Sequence, residues 1–270
     1  MSEQLSFAID LAHQVGELLL QHYRTSRKGI RLKKDHTPVT EADLEADDLI
    51  SNSIRRTFPD DIYISEEANS NHVIDNLDHQ RAVWVIDPLD GTTNFSLGLE
   101  YWGVSLARLV DGWPVEGVVY FPLLDEIFVG HKDTGAFLNN KSLQIDPGKY
   151  SQMAFFTCCS RTFRRYQVDI PYKTRILGCA SYSLCAVARG SAVLGFEATP
   201  KIWDIAAAWL IVKEAGGEIG TLDEPSPFPL RSEVDYSTQS FPTLAAGSSD
   251  KWAWGKQHII PKKFVLKDAP

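Results

Sequence analysis

The sequence predicts an α+β fold that contains an antiparallel meander sheet and a second α/β lobe. Residues 102–145 form short apolar runs separated by Asp-Gly and Asn-Asn turns, which is typical of a meander of antiparallel strands. From Ala154 onward, short strands alternate with helical segments, and this alternation favours a layered α/β arrangement. We therefore expect two lobes, residues 1–147 and 148–270, divided at Pro147-Gly148.

The first lobe begins with helical patterns. Apolar residues between positions 5 and 23 recur at helical spacing and predict an amphipathic helix. Thr40-Glu41-Ala42-Asp43 has the form of a capping box, and the apolar positions that follow continue a second helix to Ile54. We expect two short strands next, at residues 62–64 and at 81–86.

The second lobe is predicted to alternate strands with helices. The segment from Cys158 to Val168 is expected to be a loop or a helix, and 225–240 a loop. The remaining elements are strands at 154–157, 175–177, 192–197 and 243–246, a further short strand that opens at Ile219, and helices at 183–188 and 203–215.

Composition narrows the function classes. The chain has 270 residues, 44% of them hydrophobic and 23% charged, which suits a globular protein with a proper core. Its net charge of −8 argues against a general binder of nucleic acid polymers, because phosphate contacts require a basic surface. Residues 1–20 mix acids with apolar residues, so neither a signal peptide nor a membrane partner is expected. The four cysteines form no Cys-x-x-Cys pair, and a cytoplasmic protein without a zinc site fits these features.

The segment from Asp87 to Phe95 (Asp-Pro-Leu-Asp-Gly-Thr-Thr-Asn-Phe) carries the strongest chemical signal. Two carboxylates, Asp87 and Asp90, follow a buried strand on a turn that a proline stiffens. Hard divalent cations bind carboxylate and carbonyl oxygens, so this turn can hold metal ions. Gly91 permits close approach of a ligand, and the amides that follow it would start a short helix and hold a phosphate.

Further carboxylates come at the ends of other predicted elements. Glu66-Glu67 follows a strand, Asp43 lies in the first turn of a helix, and Asp204 opens another helix. Each has an ordinary alternative: a solvated acidic turn, a capping-box acid, and an Asp stabilised by the helix dipole. Taken singly, these alternatives are at least as good as a metal site. Together the acids indicate a site assembled between the two lobes.

With these motifs the chain resembles the inositol monophosphatase family, part of a group of lithium-sensitive, magnesium-dependent phosphatases that includes fructose-1,6-bisphosphatase. The order and spacing of the motifs agree from about residue 5 to about residue 248. The resemblance implies a layered α/β/α/β/α sandwich of the sugar-phosphatase type. The resemblance rests on the segments 84–95, 203–208, 214–217, 37–43 and 65–67.

The resemblance also implies a metal site with two or three Mg²⁺ ions. One ion would be held by Glu66, Asp87 and the carbonyl of Leu89, and a second by Asp87, Asp90 and Asp204. Glu66 would also support a third, weaker ion. Asp43 and Thr92 would orient a metal-bound water for direct attack on the phosphate, and Glu67 would support the site from behind its ligands.

The substrate is less well defined by the resemblance. Gly91, Thr92 and Thr93 would bind the phosphate, and Ser160, Ala180 and Glu197 the rest of the molecule. The expected partner is a small phosphate monoester, with inositol monophosphate first. Fructose 1,6-bisphosphate, 3′-phosphoadenosine 5′-phosphate and histidinol phosphate are the alternatives, because Cys158-Cys159 and 225–240 depart from the family pattern. A homodimer is also implied.

Two rival interpretations remain at this stage. Phosphatases that use an aspartate nucleophile carry it in Asp-x-Asp, whereas the spacing here is Asp87-x-x-Asp90, which does not fit. The second rival interpretation is a homologue that binds phosphate compounds without turnover. The presence of the acids that the resemblance requires argues against it. Neither a Gly-x-Gly-x-x-Gly segment nor a P-loop supports a nucleotide-binding enzyme.

Overall fold

A computed structural model describes residues 2–25, 31–32, 38–68, 81–146, 148, 153–223, 225–232 and 234–262. These residues form five layers in the order helix, sheet, helix, sheet, helix. The helices are α1 Glu3–Arg24, α2 Glu41–Thr57, α3 Thr92–Leu97, α4 Thr162–Arg165, α5 Ala180–Ala188, α6 Ile202–Glu214 and α7 Ser249–His258. The strands are β1 Arg31–Leu32, β2 Pro38–Val39, β3 Ile62–Ser65, β4 Val83–Asp90, β5 Gly103–Val110, β6 Trp113–Phe121, β7 Glu126–His131, β8 Gly135–Leu138, β9 Lys141–Leu143, β10 Phe155–Cys158, β11 Tyr166–Val168, β12 Thr174–Arg175, β13 Ala192–Glu197, β14 Glu218–Thr221, β15 Thr243–Ala246 and β16 Ile259–Pro261.

The first two layers are the helix pair α1 and α2 and a seven-stranded sheet. The sheet runs β3-β4-β5-β6-β7-β8-β9, and each neighbouring pair is antiparallel except β3 with β4. Apolar residues of α1 and α2 pack on one sheet face, against side chains that include the buried Trp84 and Trp102. This burial explains why the two helices are amphipathic.

Helices α5 and α6 form the middle layer. The apolar residues of α6 share one core with the other face of the seven-stranded sheet and with the inner face of the five-stranded sheet. Because α6 is covered on several sides, nearly all of its residues are buried, and it lacks a polar face.

The fourth and fifth layers are the five-stranded sheet and α7. This sheet runs β12-β10-β13-β15-β14, with β10 parallel to β12 and β13, and β15 antiparallel to its neighbours. On the outer side, the indole of Trp252 in α7 donates a hydrogen bond to the carbonyl of Leu244, 2.8 Å away.

These layers confirm the predicted α+β sandwich. Several details differ. Strand β4 does not end at Ile86 but continues to Asp90, with an irregular register between Asp87 and Asp90. Helix α5 begins at Ala180 rather than at 183, and α7 and β16 were not predicted.

The division into two lobes stays a prediction, and Pro147 lies outside the described residues. Helix α6, from the second half of the chain, packs against β5, β6 and β7 of the first. None of the helices in the described part of the chain combines the length and the apolarity that crossing a bilayer requires.

The contact between β6 and α6 depends on Gly117. A Cβ at this position would lie 2.9 Å from the carbonyl oxygen and 3.1 Å from the Cα of Ala207, and both are backbone atoms. We expect Gly117→Ala to lower the free energy of unfolding by about 1–3 kcal/mol, since α6 must move to admit the methyl group. Urea unfolding measures this change. Gly148→Ala is the control, because the described atom nearest to a Cβ there is a side-chain oxygen of Asp146, not a backbone atom. An equal loss of stability in both variants would contradict the close packing of α6 on Gly117.

Candidate active site

Three carboxylates meet where β3, β4 and α6 end or begin. Glu66 follows β3, Asp87 lies near the end of β4, and Asp204 is in the first turn of α6. One oxygen of each lies within 4.8 Å of one oxygen of the others. The structure therefore brings together acids that are far apart in the sequence.

Asp87 is the most deeply buried member of this group. Its Oδ1 accepts a hydrogen bond from the amide of Leu89 at 3.0 Å. Its Oδ2 has no hydrogen-bond partner among the described residues, although Asp87 is only 1% exposed. A buried carboxylate oxygen without a partner is costly unless a cation or a proton satisfies it.

The raised pKa values of these acids also indicate that their negative charges are not compensated. Burial is the main cause that raises the pKa of Asp87 well above its usual range, and the charge of Glu66 raises it further. Burial likewise raises the pKa of Asp204, followed by the charges of Asp90 and Glu66. A divalent cation among the acids would offset both the cost of burial and the repulsion between the carboxylates, so the donor set fits a hard metal ion.

Asp204 also has the structural role that its position suggested. Its Oδ2 accepts a hydrogen bond from the amide of Lys201 at 2.7 Å, which caps the start of α6. The two interpretations of this residue are therefore compatible: the cap fixes the carboxylate, and the fixed carboxylate faces Glu66 and Asp87.

Asp43 shows the same combination at the start of α2. Its Oδ2 accepts a hydrogen bond from the amide of Thr40 at 2.8 Å, so the predicted capping box is present. Its Oδ1 lies 3.0 Å from the hydroxyl of Thr92, which is also 3.0 Å from the carbonyl oxygen of Leu89. The cap thus holds a buried carboxylate against the hydroxyl of α3.

Asp90 is close enough for its charge to raise the pKa of Asp204, but its own oxygens contact the beginning of α5. Its Oδ2 accepts hydrogen bonds from the amide and hydroxyl of Ser181, each at 2.6 Å, and from the thiol of Cys179 at 3.0 Å. Its Oδ1 accepts from the amide of Ala180 at 3.2 Å. Ser181 was not among the predicted site residues; the signal was a serine among the first residues of a helix, where hydrogen-bond donors are available.

The turn after Asp90 requires glycine. Gly91 has a φ of 90°, and a Cβ there would lie 2.8 Å from the carbonyl oxygen of Tyr101. Beyond it, the side-chain amide of Asn94 donates to the carbonyls of Tyr101 and Leu177, both at 2.7 Å. These bonds join α3 to the segment that leads into α5.

A cavity of about 290 Å³ opens beside these acids. Asp90 and Asp204 contribute to its wall, and so do Cys159 and Arg161, which were not predicted as site residues. The predicted substrate contacts that line it are Thr93, Ser160, Ala180 and Glu197.

Glu197 is a buried acid on the cavity wall. Burial is the main cause that raises its pKa well above the usual range, followed by the neighbouring Cys159, which also forms a hydrogen bond with it. The half-buried Glu67 follows Glu66 in the chain, and its amide lies 3.4 Å from the hydroxyl of Ser65. The role of Glu67 stays a prediction.

We expect the metal-free protein to become less stable as the pH rises. The raised pKa values of Asp87 and Asp204 mean that the folded chain keeps protons above pH 3.8, where the unfolded chain loses them. The folded state therefore binds more protons, and its stability is present at low pH and is lost as the pH rises through the raised values. Thermal unfolding in EDTA between about pH 5 and pH 8 measures this dependence.

Asp87→Asn should flatten that pH dependence, because it removes one buried ionisable group. Asp60→Asn, at an exposed position, is the matched control. Unfolding temperatures that do not change with pH in the unsubstituted protein, or equal slopes in all three proteins, would contradict the explanation.

The sequence is similar to members of one protein family. A model of the family described as "Inositol monophosphatase family" matches residues 1–253. Inositol monophosphatase 2 of Solanum lycopersicum is 35% identical over 256 residues, which cover 88% of this chain and 92% of the relative. The histidinol-phosphatase of Chlorobaculum parvum is 33% identical over 231 residues, which cover 80% and 85%.

Solved structures of similar proteins have the same fold as this chain. The Thermotoga maritima IMPase superposes with a TM-score of 0.74 at 28% identity, covering 91% of this chain and 92% of that one. The suppressor protein SuhB of Bartonella henselae superposes with a TM-score of 0.78 at 25% identity, covering 95% and 98%. The chain therefore belongs to the inositol monophosphatase family and is a phosphatase, that is, a phosphoric monoester hydrolase.

Proposed function

We propose that this phosphatase is Mg²⁺-dependent and that it hydrolyses a small phosphorylated metabolite, with inositol monophosphate as the first candidate. The observation that carries the metal dependence is the buried, unpartnered Oδ2 of Asp87 within the three-carboxylate group. Such a group is stable only when a proton or a cation neutralises it, and hard cations prefer oxygen ligands.

We assign Glu66, Asp87 and the carbonyl of Leu89 to one Mg²⁺ ion. Asp87, Asp90 and Asp204 are assigned to a second, and a third, weaker ion would use Glu66. When bound, such ions neutralise the phosphate and lower the pKa of water, which supplies the nucleophile. Asp90 would have to exchange some of its hydrogen bonds to α5 for this role.

The pair formed by Asp43 and Thr92 would orient the attacking water. The hydroxyl of Thr92 can donate its proton to Asp43 Oδ1, 3.0 Å away, and then accepts a hydrogen bond from water on its lone pair. Asp43 cannot turn away, because its other oxygen accepts the bond from Thr40. The chain thus holds an acceptor at a fixed position for the nucleophile.

The amides of Gly91, Thr92 and Thr93 would bind the phosphate. They begin α3, and the first amides of a helix have no acceptor within that helix. Their dipoles favour a negative charge at this end. The glycine at position 91 allows the turn that orients these amides, because a Cβ there would meet the carbonyl oxygen of Tyr101 at 2.8 Å.

Ser160, Ala180 and Glu197 would contact the alcohol part of the substrate, because they line the same cavity as Asp90 and Asp204. The names of relatives support several substrates about equally. The Solanum inositol monophosphatase is 35% identical, the Chlorobaculum histidinol-phosphatase 33%, and a Thermotoga maritima fructose-1,6-bisphosphatase/inositol-1-monophosphatase 34%. Fructose 1,6-bisphosphate and histidinol phosphate are therefore alternatives to inositol monophosphate. A third alternative, 3′-phosphoadenosine 5′-phosphate, rests on the family resemblance of the sequence alone.

A homodimer and a cytoplasmic location complete the proposal. Leu97, the last residue of α3, and Leu99 just beyond it are exposed by 69% and 51% and would suit a contact between two copies. The cysteines are free thiols, as in a reducing compartment.

We expect phosphate release that requires Mg²⁺ and that Asp90→Asn lowers by about a thousandfold or more, equivalent to at least about 4 kcal/mol of activation free energy. The substitution keeps the shape of the side chain and removes its charge. Phosphate release is measured with the four candidate esters, each with Mg²⁺ and with EDTA.

Asp250→Asn, on the exposed part of α7, is the control for that series and should be fully active. Near-normal activity of Asp90→Asn would remove Asp90 from the metal site. Absence of Mg²⁺-dependent release with every ester would contradict the proposed function and would favour a homologue that only binds its ligand.

Li⁺ is expected to inhibit the enzyme in the millimolar range, because a small monovalent cation can occupy the weaker oxygen site without supplying the charge of Mg²⁺. Initial rates at several Mg²⁺ concentrations test this expectation, with equal concentrations of K⁺ as the control. Full activity at high millimolar Li⁺ would be the opposite result.

A further inference from the structure

We propose that Arg161 binds a second anionic group of the substrate, a phosphate or a carboxylate, and so favours those candidate esters that carry two anionic groups. The inference rests on the proposed phosphatase function. It names the residue that would select these esters over inositol monophosphate.

Arg161 lies directly before α4, on the wall of the cavity beside the acids. Its Nη1 donates a hydrogen bond to the hydroxyl of Thr199, 3.1 Å away, and Thr199 lines the same cavity. This bond restrains the guanidinium at the wall and leaves further N–H donors for a ligand.

The charges around the cavity make Arg161 distinctive. The other ionised or ionisable oxygen groups on the wall belong to Asp90, Glu197 and Asp204, while Arg161 is the one basic residue among those that line it. Within the described part of the chain, Arg161 forms no ion pair, whereas Arg189 pairs with Glu126 at 2.8 Å. A guanidinium at a cavity wall, without a carboxylate of its own, is suited to an anionic ligand.

One small molecule can contact both the acids and Arg161, because they border the same cavity. Asp90 and Asp204, the proposed metal ligands, and Arg161 border a single cavity of about 290 Å³. A phosphate held at the metal site would therefore leave the rest of the molecule facing Arg161. A second anion there gains a charge-assisted hydrogen bond, whereas an ammonium group would be repelled.

The ordinary alternative is that Arg161 is a solvated surface residue, like its neighbours. Arg164 and Arg165 are exposed on α4 and do not line the cavity. They share the charge and the exposure of Arg161 and lie three and four residues after it, but they do not face the cavity. They therefore provide a direct test of whether position, rather than net charge, matters.

The test compares kcat and KM for fructose 1,6-bisphosphate and inositol 1-phosphate in the unsubstituted enzyme and in Arg161→Gln, Arg161→Lys and Arg164→Gln. We expect Arg161→Gln to lower kcat/KM for the bisphosphate by about 10- to 100-fold, mostly through KM, the range for loss of one charge-assisted hydrogen bond. The same variant should change kcat/KM for inositol 1-phosphate by less than about threefold. Arg161→Lys should recover part of the loss, and Arg164→Gln should behave as the unsubstituted enzyme.

Equal losses for the two esters, no loss for either, or an equal effect of Arg164→Gln would overturn the inference while leaving the proposed function intact. If the unsubstituted enzyme hydrolyses neither ester, the proposed function fails instead. Calorimetric binding of fructose 1,6-bisphosphate to the unsubstituted protein and to Arg161→Gln then decides the inference, since weaker binding by the variant supports it and equal or absent binding overturns it.

Discussion

The burial of Asp87 beside two other carboxylates is the constraint around which this molecule is organised. Taking like charges out of water is unfavourable, and the unpartnered Oδ2 of Asp87 increases that cost. The surrounding framework compensates by fixing each acid separately. A strand holds Asp87, a helix cap holds Asp204, and the end of a second strand places Glu66 beside them. The three acids remain close together because Asp87 lies in a buried strand, Asp204 in a largely buried helix, and Glu66 directly after the strand that pairs with β4.

The middle layer connects this constraint to the fold. Helix α6 fills the space between the two sheets, and its first turn presents Asp204 to the acids on β3 and β4. Close packing of α6 against Gly117 sets how far the helix lies from the seven-stranded sheet. The position of the carboxylate is therefore determined by apolar contacts well away from it, as is usual for sites assembled between layers.

Much of the fold could be predicted from the sequence, because the decisive patterns are local. The meander follows from alternating short strands and turn residues, and the amphipathic helix pair follows from apolar spacing. The same reasoning missed α7, since its apolar residues, including Trp252, do not form a clear stripe. It also ended β4 too early, because Pro88 suggested a turn where the structure has a strand with an irregular register.

The candidate site was predictable only in part. Asp87, Glu66 and Asp204 were identified as a group by motif, and the structure brings them together. The bonds from Ser181 and Cys179 to Asp90 join residues about ninety positions apart, and no local pattern reports such a pairing. Arg161 was not predicted as a site residue, because the sequence does not say which of three nearby arginines faces a cavity.

The attachment of Asp90 to the start of α5 places one proposed ligand on a seam between two parts of the chain. Asp90 ends a strand of one sheet, while its hydrogen-bond donors begin a helix that packs on the other. A cation that draws this carboxylate toward itself must compete with those donors, and the first turn of α5 must then find other acceptors. Ion occupancy and the local order of α5 are consequently two aspects of one equilibrium, in which each influences the other by the same free energy.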